Sequence, residues 1–259
     1  MPQLISDMVA VNMTKKPFDD IRVRRAINLC INREAITDKI VPVGYVPAYS
    51  IVPPNTAHFP GGNAYDFKTL PQPARTTEGQ RLMQEAGFGP TKRLRTSYMI
   101  RSTAAGSYRA VAAALQQMFA LVYIDADIVP TDGQVFYKQI QEHDFEMSQP
   151  GWQADFNDAS NFLDLFRTGG GNNWGGYSNP DFDRMLEAAQ HDPDIVSRGQ
   201  KLSAAERILL KDEAAMTLYF WVSGNLVRPY IKGYVSNATD IHRSRWISID
   251  EKARAALLT

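Results

Sequence analysis

The chain has 259 residues, 44% of them hydrophobic, enough apolar material for a proper core in one large domain or two small ones. Its 28 Lys and Arg balance its 28 Asp and Glu, so no overall field draws nucleic acid or anionic lipid, and charge argues against a nucleic-acid partner. The one cysteine, Cys30, shares an apolar helical face with Val23, Ala26 and Ile27 and reads as a small core residue. Alone it makes neither a disulfide framework nor a thiolate metal site within the chain.

In chain order, Met1-Pro2-Gln3 leads directly into a strand-like Leu4 to Asn12, with no signal-peptide pattern and no run of about 18 apolar residues anywhere. Asp19 and Asp20 are placed to cap a helix from Ile21 to Cys30, and Asn32 to cap a second that ends before Pro42. Residues 41–73 are rich in proline and read as an ordered meander. A short helix follows from Thr76, its candidate cap, to Ala86, with Gly87 as the stop. Leu94, Thr96, Tyr98 and Ile100 alternate as a strand. Tyr108, Val111, Leu115 and Phe119 mark a helix face, and Ile124, Ala126 and Ile128 alternate again. This β-α-β unit, with a helix at 134–142 and a strand at 145–149, predicts an α/β fold with a parallel sheet. Further on, Asn179-Pro180 starts a helix, Ser197 begins another, Met216 to Val222 alternates as a strand, and Glu251 to Leu258 is helical.

The stretch Gly151 to Leu163 falls where a strand ends, the usual place for ligand-contacting groups in open α/β sheets. Trp152 offers an apolar face with an N–H, and Asp155 a negative charge, a pair suited to a ligand with an ammonium group and an apolar body. On the pattern alone Trp152 is equally a core residue and Asp155 equally a cap.

Catalytic parts are missing from the pattern. His58, His143, His191 and His242 are scattered, without the spacing that puts two metal ligands on one helix face. No Gly-x-Ser-x-Gly elbow occurs, and the 168–173 glycines have neither a feeding strand nor a following Lys-Ser/Thr. Of the acid pairs, Asp19/Asp20 read as caps and Asp155/Asp158 as a binding carboxylate plus a cap, with Asp164 the only other acid near them. A ligand-friendly strand end without catalytic groups favours a binding protein over an enzyme.

Residues 17–28, Pro-Phe-Asp-Asp-Ile-Arg-Val-Arg-Arg-Ala-Ile-Asn, followed by Asn32-Arg33-Glu34-Ala35-Ile36, closely resemble a segment of the extracytoplasmic solute-binding proteins of family 5. These are the peptide-, oligopeptide- and nickel-binding components of ABC importers. The 145–163 block, Gly169-Gly170-Gly171-Asn172-Asn173, Tyr177-Ser178-Asn179-Pro180-Asp181-Phe182-Asp183 and residues 225–233 match in the same order, and the Gly-Gly-Gly-Asn-Asn turn and Asp240-Ile241-His242 look most like the oligopeptide branch.

The resemblance is to the C-terminal half of such proteins, and implies a truncated chain, a split gene or a half-protein. The fold it implies is an α/β periplasmic-binding-protein type II lobe. Residues 1–14 would be a hinge strand towards a missing N-terminal lobe, 15–224 the ligand-binding lobe, and 225–259 a crossover segment belonging to the other lobe. It implies that Asp155 meets a peptide α-amino group, with Trp152, Gln153, Ala154 and Phe156 beside it, and that no cofactor or metal is needed. Implied partners are peptides, membrane permease subunits of the importer and the missing lobe. Exposed strand edge and the Tyr219, Trp221, Tyr230, Tyr234 and Trp246 aromatics suggest self-association. The implied location is periplasmic, with the export signal on the N-terminal half. Another solute (a metal chelate or a sugar) and an interaction module without ligand stand as alternatives. Two departures bear on local geometry: Leu121-Val122-Tyr123-Ile124 lacks a glycine stop usual in relatives, and 211–215 lacks their frequent proline.

Overall fold

A computed structural model describes residues 1–102 and 106–258. Its frame is a seven-stranded sheet built from β1 (Pro2–Val11), β2 (Val46–Pro47), β3 (Leu94–Arg101), β4 (Ile124–Thr131), β5 (Met147–Ser148), β6 (Gly151–Gln153) and β7 (Met216–Val222), in the order β2-β7-β1-β5-β3-β4 with β6 also on β1. The β-α-β expectation holds, with β3 and β4 parallel from Leu94↔Ile124 to Arg101↔Thr131 and Gly106–Leu121 as the crossover helix. The all-parallel sheet does not. Strand β1 runs antiparallel to β5, β6 and β7, and β7 antiparallel to β2, so the sheet is mixed. Alternation reports which side chains are buried, not which way a strand runs beside its neighbours.

Helix α1 (Ile21–Cys30) begins at Asp20, whose carboxylate accepts the Arg22 N–H at 2.9 Å, and α2 (Arg33–Ala35) begins at Asn32 and widens into a π-helical turn over Ile36–Ile40. Helix α3 (Gln72–Glu85) starts four residues ahead of Thr76, because Pro71 and Pro73 suit a first turn that needs no N–H there; Gly87, at φ +88°, ends it. Next come α4 (Gly106–Leu121), α5 (Gly133–Gln141), α6 (Ser160–Leu163) and α7 (Pro180–Gln190), the last capped by Asn179. Helix α8 (Ile195–Lys211) is capped by Asp194, which accepts the Ser197 N–H at 2.6 Å; Ser197 is thus inside the helix it was expected to open.

The meander is held by one buried acid. Glu206 on α8 accepts the Ile51 and Val52 N–H groups at 2.9 and 2.8 Å and an Asn63 amide hydrogen at 2.8 Å, which satisfies backbone that no sheet reaches. Cys30 is fully buried, and burial raises its thiol far above the ordinary range, consistent with a core residue. Where relatives' glycine is lacking, Tyr123 itself takes the left-handed conformation at φ +65° and its carbonyl accepts the Leu94 N–H at 2.9 Å, so the turn into β4 is kept. Glu213 does the same ahead of β7, at φ +52°.

One large hydrophobic cluster joins the sheet to α1, α3, α4, α7 and α8, and a smaller one of Ala10, Met99, Phe136, Ile140, Phe145 and Trp174 lies under α5. Beyond β7, β8 (Ile231–Lys232) pairs with β9 (Ser248–Ile249), and α9 (Glu251–Leu258) follows. This segment touches the sheet where the Leu4 N–H donates to the Ala238 carbonyl at 2.9 Å, and it exposes Leu226, Val235 and Trp246. None of the described helices is long and apolar enough to cross a membrane.

Candidate functional site

Strand β1 is central because it serves two partners on one side. Its Ala10 and Val11 pair with β5 and its Ile5, Ser6 and Asp7 with β6, the partner strand breaking at Pro150 between them. Gly151, Trp152 and Gln153 are therefore strand residues and not the start of a loop. The break opens an indented surface of about 510 Å³ against the end of β3, the start of α4 and the end of β7.

Trp152 is half-buried: it packs edge-on to Trp174 with ring centroids 5.9 Å apart, donates its Nε1–H to Asn161 Oδ1 at 2.8 Å, and still faces the cleft. Core packing and exposure to the cleft thus coexist in this tryptophan. Gln153 and Asp155 are exposed and also line the cleft. Asp155 has no hydrogen bond or ion pair among the described residues, so it caps nothing. The bonded acid is Asp158, just ahead of Ala159, the N-cap of α6: its carboxylate accepts the Ser160 N–H at 2.9 Å and pairs with Arg198 Nη1 and Nη2 at 2.6 and 2.9 Å. Burial raises the Asp158 pKa, but Arg198 and the Ser160 bonds outweigh it and hold the carboxyl below its ordinary range. Ala154 and Phe156 lie off the cleft wall: Ala154 is buried with its N–H donated to the Leu4 carbonyl at 2.9 Å, and the Phe156 ring is 53% exposed.

The floor holds a residue the sequence did not single out. Asp7 on β1 is fully buried, accepting the Tyr108 hydroxyl at 2.5 Å and the Trp221 indole N–H at 2.6 Å. Burial raises its pKa, with those two bonds and the Arg101 charge opposing. Gly151 lies directly over it; a Cβ there would stand 2.5 Å from Asp7 Oδ1. Trp221 also stacks on Tyr45 at 5.2 Å, so this aromatic wall is fixed on two sides. Opposite, the Arg101 guanidinium lies 4.9 Å from the Tyr108 ring centroid and 5.8 Å from that of Tyr137. An acid inside a strand-like apolar segment was the one signal that could have pointed to Asp7; Arg101 and Tyr137 carried none, since only the fold brings them here.

Taken together, the cleft has aromatic walls, a carboxylate without a partner among the described residues at its rim and a guanidinium at its far side, groups whose chemistry suits the polar ends of an organic ligand. The described residues hold no group of three or more His, Cys, Asp or Glu able to hold a metal ion.

Comparison with known proteins gives a consistent picture. The family model described as bacterial extracellular solute-binding proteins, family 5 Middle, matches residues 1–174. The periplasmic oligopeptide-binding protein OppA of Salmonella typhimurium is 30% identical over 233 residues, covering 90% of this chain and 42% of that protein. The periplasmic murein peptide-binding protein MppA of Escherichia coli is 27% identical over 250 residues, covering 96% of this chain and 46% of its own length. Among solved structures, Haemophilus influenzae OppA in complex with RPPGFSPFR superposes with a TM-score of 0.85 at 27% identity, over 96% of this chain and 49% of that one. The fold is accordingly that of type II periplasmic peptide-binding proteins, as the resemblance implied. The chain spans about half the length of the curated relatives it matches.

Proposed function

The chain belongs to the bacterial extracellular solute-binding proteins of family 5, and from that premise we propose that it captures peptides for an ABC importer, as part of a two-lobed binding protein. The observation that carries this reading is Asp155: an exposed carboxylate with no partner among the described residues, at the rim of an aromatic-walled cleft. A peptide α-amino group has a pKa of about 8 and is mostly cationic at neutral pH. A charged hydrogen bond from it to Asp155 in a cleft cleared of water contributes roughly 1.5 to 3 kcal/mol.

In this proposal the ligand-binding lobe expected at residues 15–224 also takes in residues 1–14, because β1 pairs with β5, β6 and β7 at the centre of its sheet, and residues 225–259 pack with a second lobe. The apolar Leu226, Val235 and Trp246 surfaces, 105%, 71% and 67% exposed, support such a neighbour. Closure of the two lobes encloses the ligand, and the closed form is what membrane permease subunits engage in the periplasm. Binding and release of the ligand are the activity in this proposal.

The test is to express the protein as the cell makes it and identify by mass spectrometry what denaturation releases. Short peptides are expected. A sugar or a metal chelate would assign the cleft to another solute, and reproducible absence of any ligand, with none bound on addition, would favour an interaction module.

A further inference from the structure

We propose that Asn157 is a positioning residue for Asp155, and that through it the meander at residues 41–73, none of whose described residues lines the cleft, takes part in holding the ligand. The proposal rests on the reading of Asp155 as the amine site.

Asp155 has no partner of its own among the described residues, so its neighbours in the chain decide where its carboxylate stands. On one side the Ala154 N–H is held by the Leu4 carbonyl of β1 at 2.9 Å. On the other, Asp158 is held by the Arg198 guanidinium. Across residues 155–157, between these anchors, one bond reaches a distant segment among the described residues: Asn157 Oδ1 accepts the Ala57 N–H at 2.8 Å. Without it, the stretch that carries the charge would hang between two fixed points, and an arriving ligand would have to immobilise it at a cost in conformational entropy.

Three pairs of chain neighbours close a triangle around this stretch: Arg198 and Gly199 on α8, Ala57 and His58 in the meander, Asn157 and Asp158 in the loop. Arg198 holds Asp158, Asn157 holds Ala57, and the His58 carbonyl lies so close on Gly199 that a Cβ there has no room. About two turns further along α8, Glu206 binds Ile51, Val52 and Asn63, on either side of His58 in the chain. The meander is therefore seated on α8 along its 51–63 span, and the loop is fastened to both. A single bond from an exposed asparagine is worth little by itself. Closing a frame whose other two sides are already fixed, it selects one arrangement of the loop and presents Asp155 to the cleft in one place.

Calorimetry with trialanine bearing a free or an acetylated N-terminus, on the protein as the cell makes it and stripped of carried ligand, reads the preference for the amine. Asn157→Ala is expected to lower that preference about three- to tenfold, with little change in the urea midpoint because the bond is exposed. Asn157→Asp, which keeps an acceptor in the same place, is expected to retain it. Ala57→Pro removes the donor from the other side, and the double variant is expected to lose no more than either single one, since both break the same bond. A preference undiminished in Asn157→Ala, equal weakening of both peptides, or losses that add in the double variant overturns the role of Asn157. Should Ala57→Pro disturb the meander, the contrast between Asn157→Ala and Asn157→Asp decides alone. A preference lost in Asp155→Ala but kept in Asn157→Ala leaves the amine site standing without this clamp, whereas a wild type that binds both peptides alike, or neither, overturns both.

Discussion

Trp221 on β7 donates its indole N–H to Asp7 on β1 at 2.6 Å, which fastens an aromatic wall of the cleft to a carboxylate buried in the central strand of the sheet. Burial raises the folded pKa of Asp7 above its ordinary 3.8. The folded chain therefore holds this proton more tightly than the unfolded chain, and the contribution of Asp7 to stability is greatest below that ordinary value and falls as pH rises through the folded pKa. Asp7→Asn removes the titration. The stability of the wild type relative to Asp7→Asn, from urea midpoints, is expected to decline on going upward from pH 4 towards neutrality; parallel profiles would contradict it.

Gly151 is where that buried acid and the ligand-facing strand come closest. Because a Cβ would stand 2.5 Å from Asp7 Oδ1 and 3.3 Å from the Tyr108 hydroxyl, Gly151→Ala must push apart β6 and the cleft floor. A loss of about 1 to 3 kcal/mol in chemical denaturation is expected. An unchanged midpoint would mean that the floor yields freely.

The loop bearing Asp155 is tied to α8 by the Asp158–Arg198 pair, whose side chains are 18% and 25% exposed. Arg198→Ala is expected to cost about 1 kcal/mol of stability and to weaken ligand severalfold by loosening the loop. Since Asp158 has a lowered pKa, its contribution is present above its ordinary 3.8 and is lost as pH falls through the folded value. The stability gap between wild type and variant should accordingly close in acid, and a gap that widens there would contradict the assignment.

Glu213 combines a left-handed backbone, φ +52°, with a fully buried carboxylate that binds Arg25 Nη1 and Asn28 Nδ2, each at 2.6 Å. Glu213→Ala strands the buried Asn28 amide and leaves Arg25 with Asp66 alone. A loss of about 3 kcal/mol or more in denaturant titration is expected, with ligand contacts themselves untouched; a loss under 1 kcal/mol would show the network to be dispensable.

The sequence made much of this frame legible where local chemistry decides it. Asp20, Asn32 and Asn179 cap the helices they were expected to cap, and the β3–α4–β4 unit follows its apolar periods. At α3 and α8 the visible Thr76 and Ser197 lost to Pro71 and Asp194, because a proline-compatible first turn and an earlier acid satisfy the helix start as well. Strand direction was not legible, since burial alternates identically in both. Trp152 and Asp155 were legible as neighbours in sequence with complementary chemistry. Asp7, Arg101, Tyr108, Tyr137 and Trp221 were not, because five distant segments converge on one cleft and no local pattern encodes that meeting.

The central claim is that Asp155 holds the amino terminus of a peptide, and its most direct test is a calorimetric titration of one short peptide with its N-terminus free or acetylated. The protein as the cell makes it, stripped of carried ligand, would be compared with its Asp155→Ala variant. The account predicts that the free peptide binds the wild type about ten- to a hundredfold more tightly than the acetylated one, and that the variant loses this preference. Equal binding of both peptides by the wild type, or a preference that survives in Asp155→Ala, would contradict it.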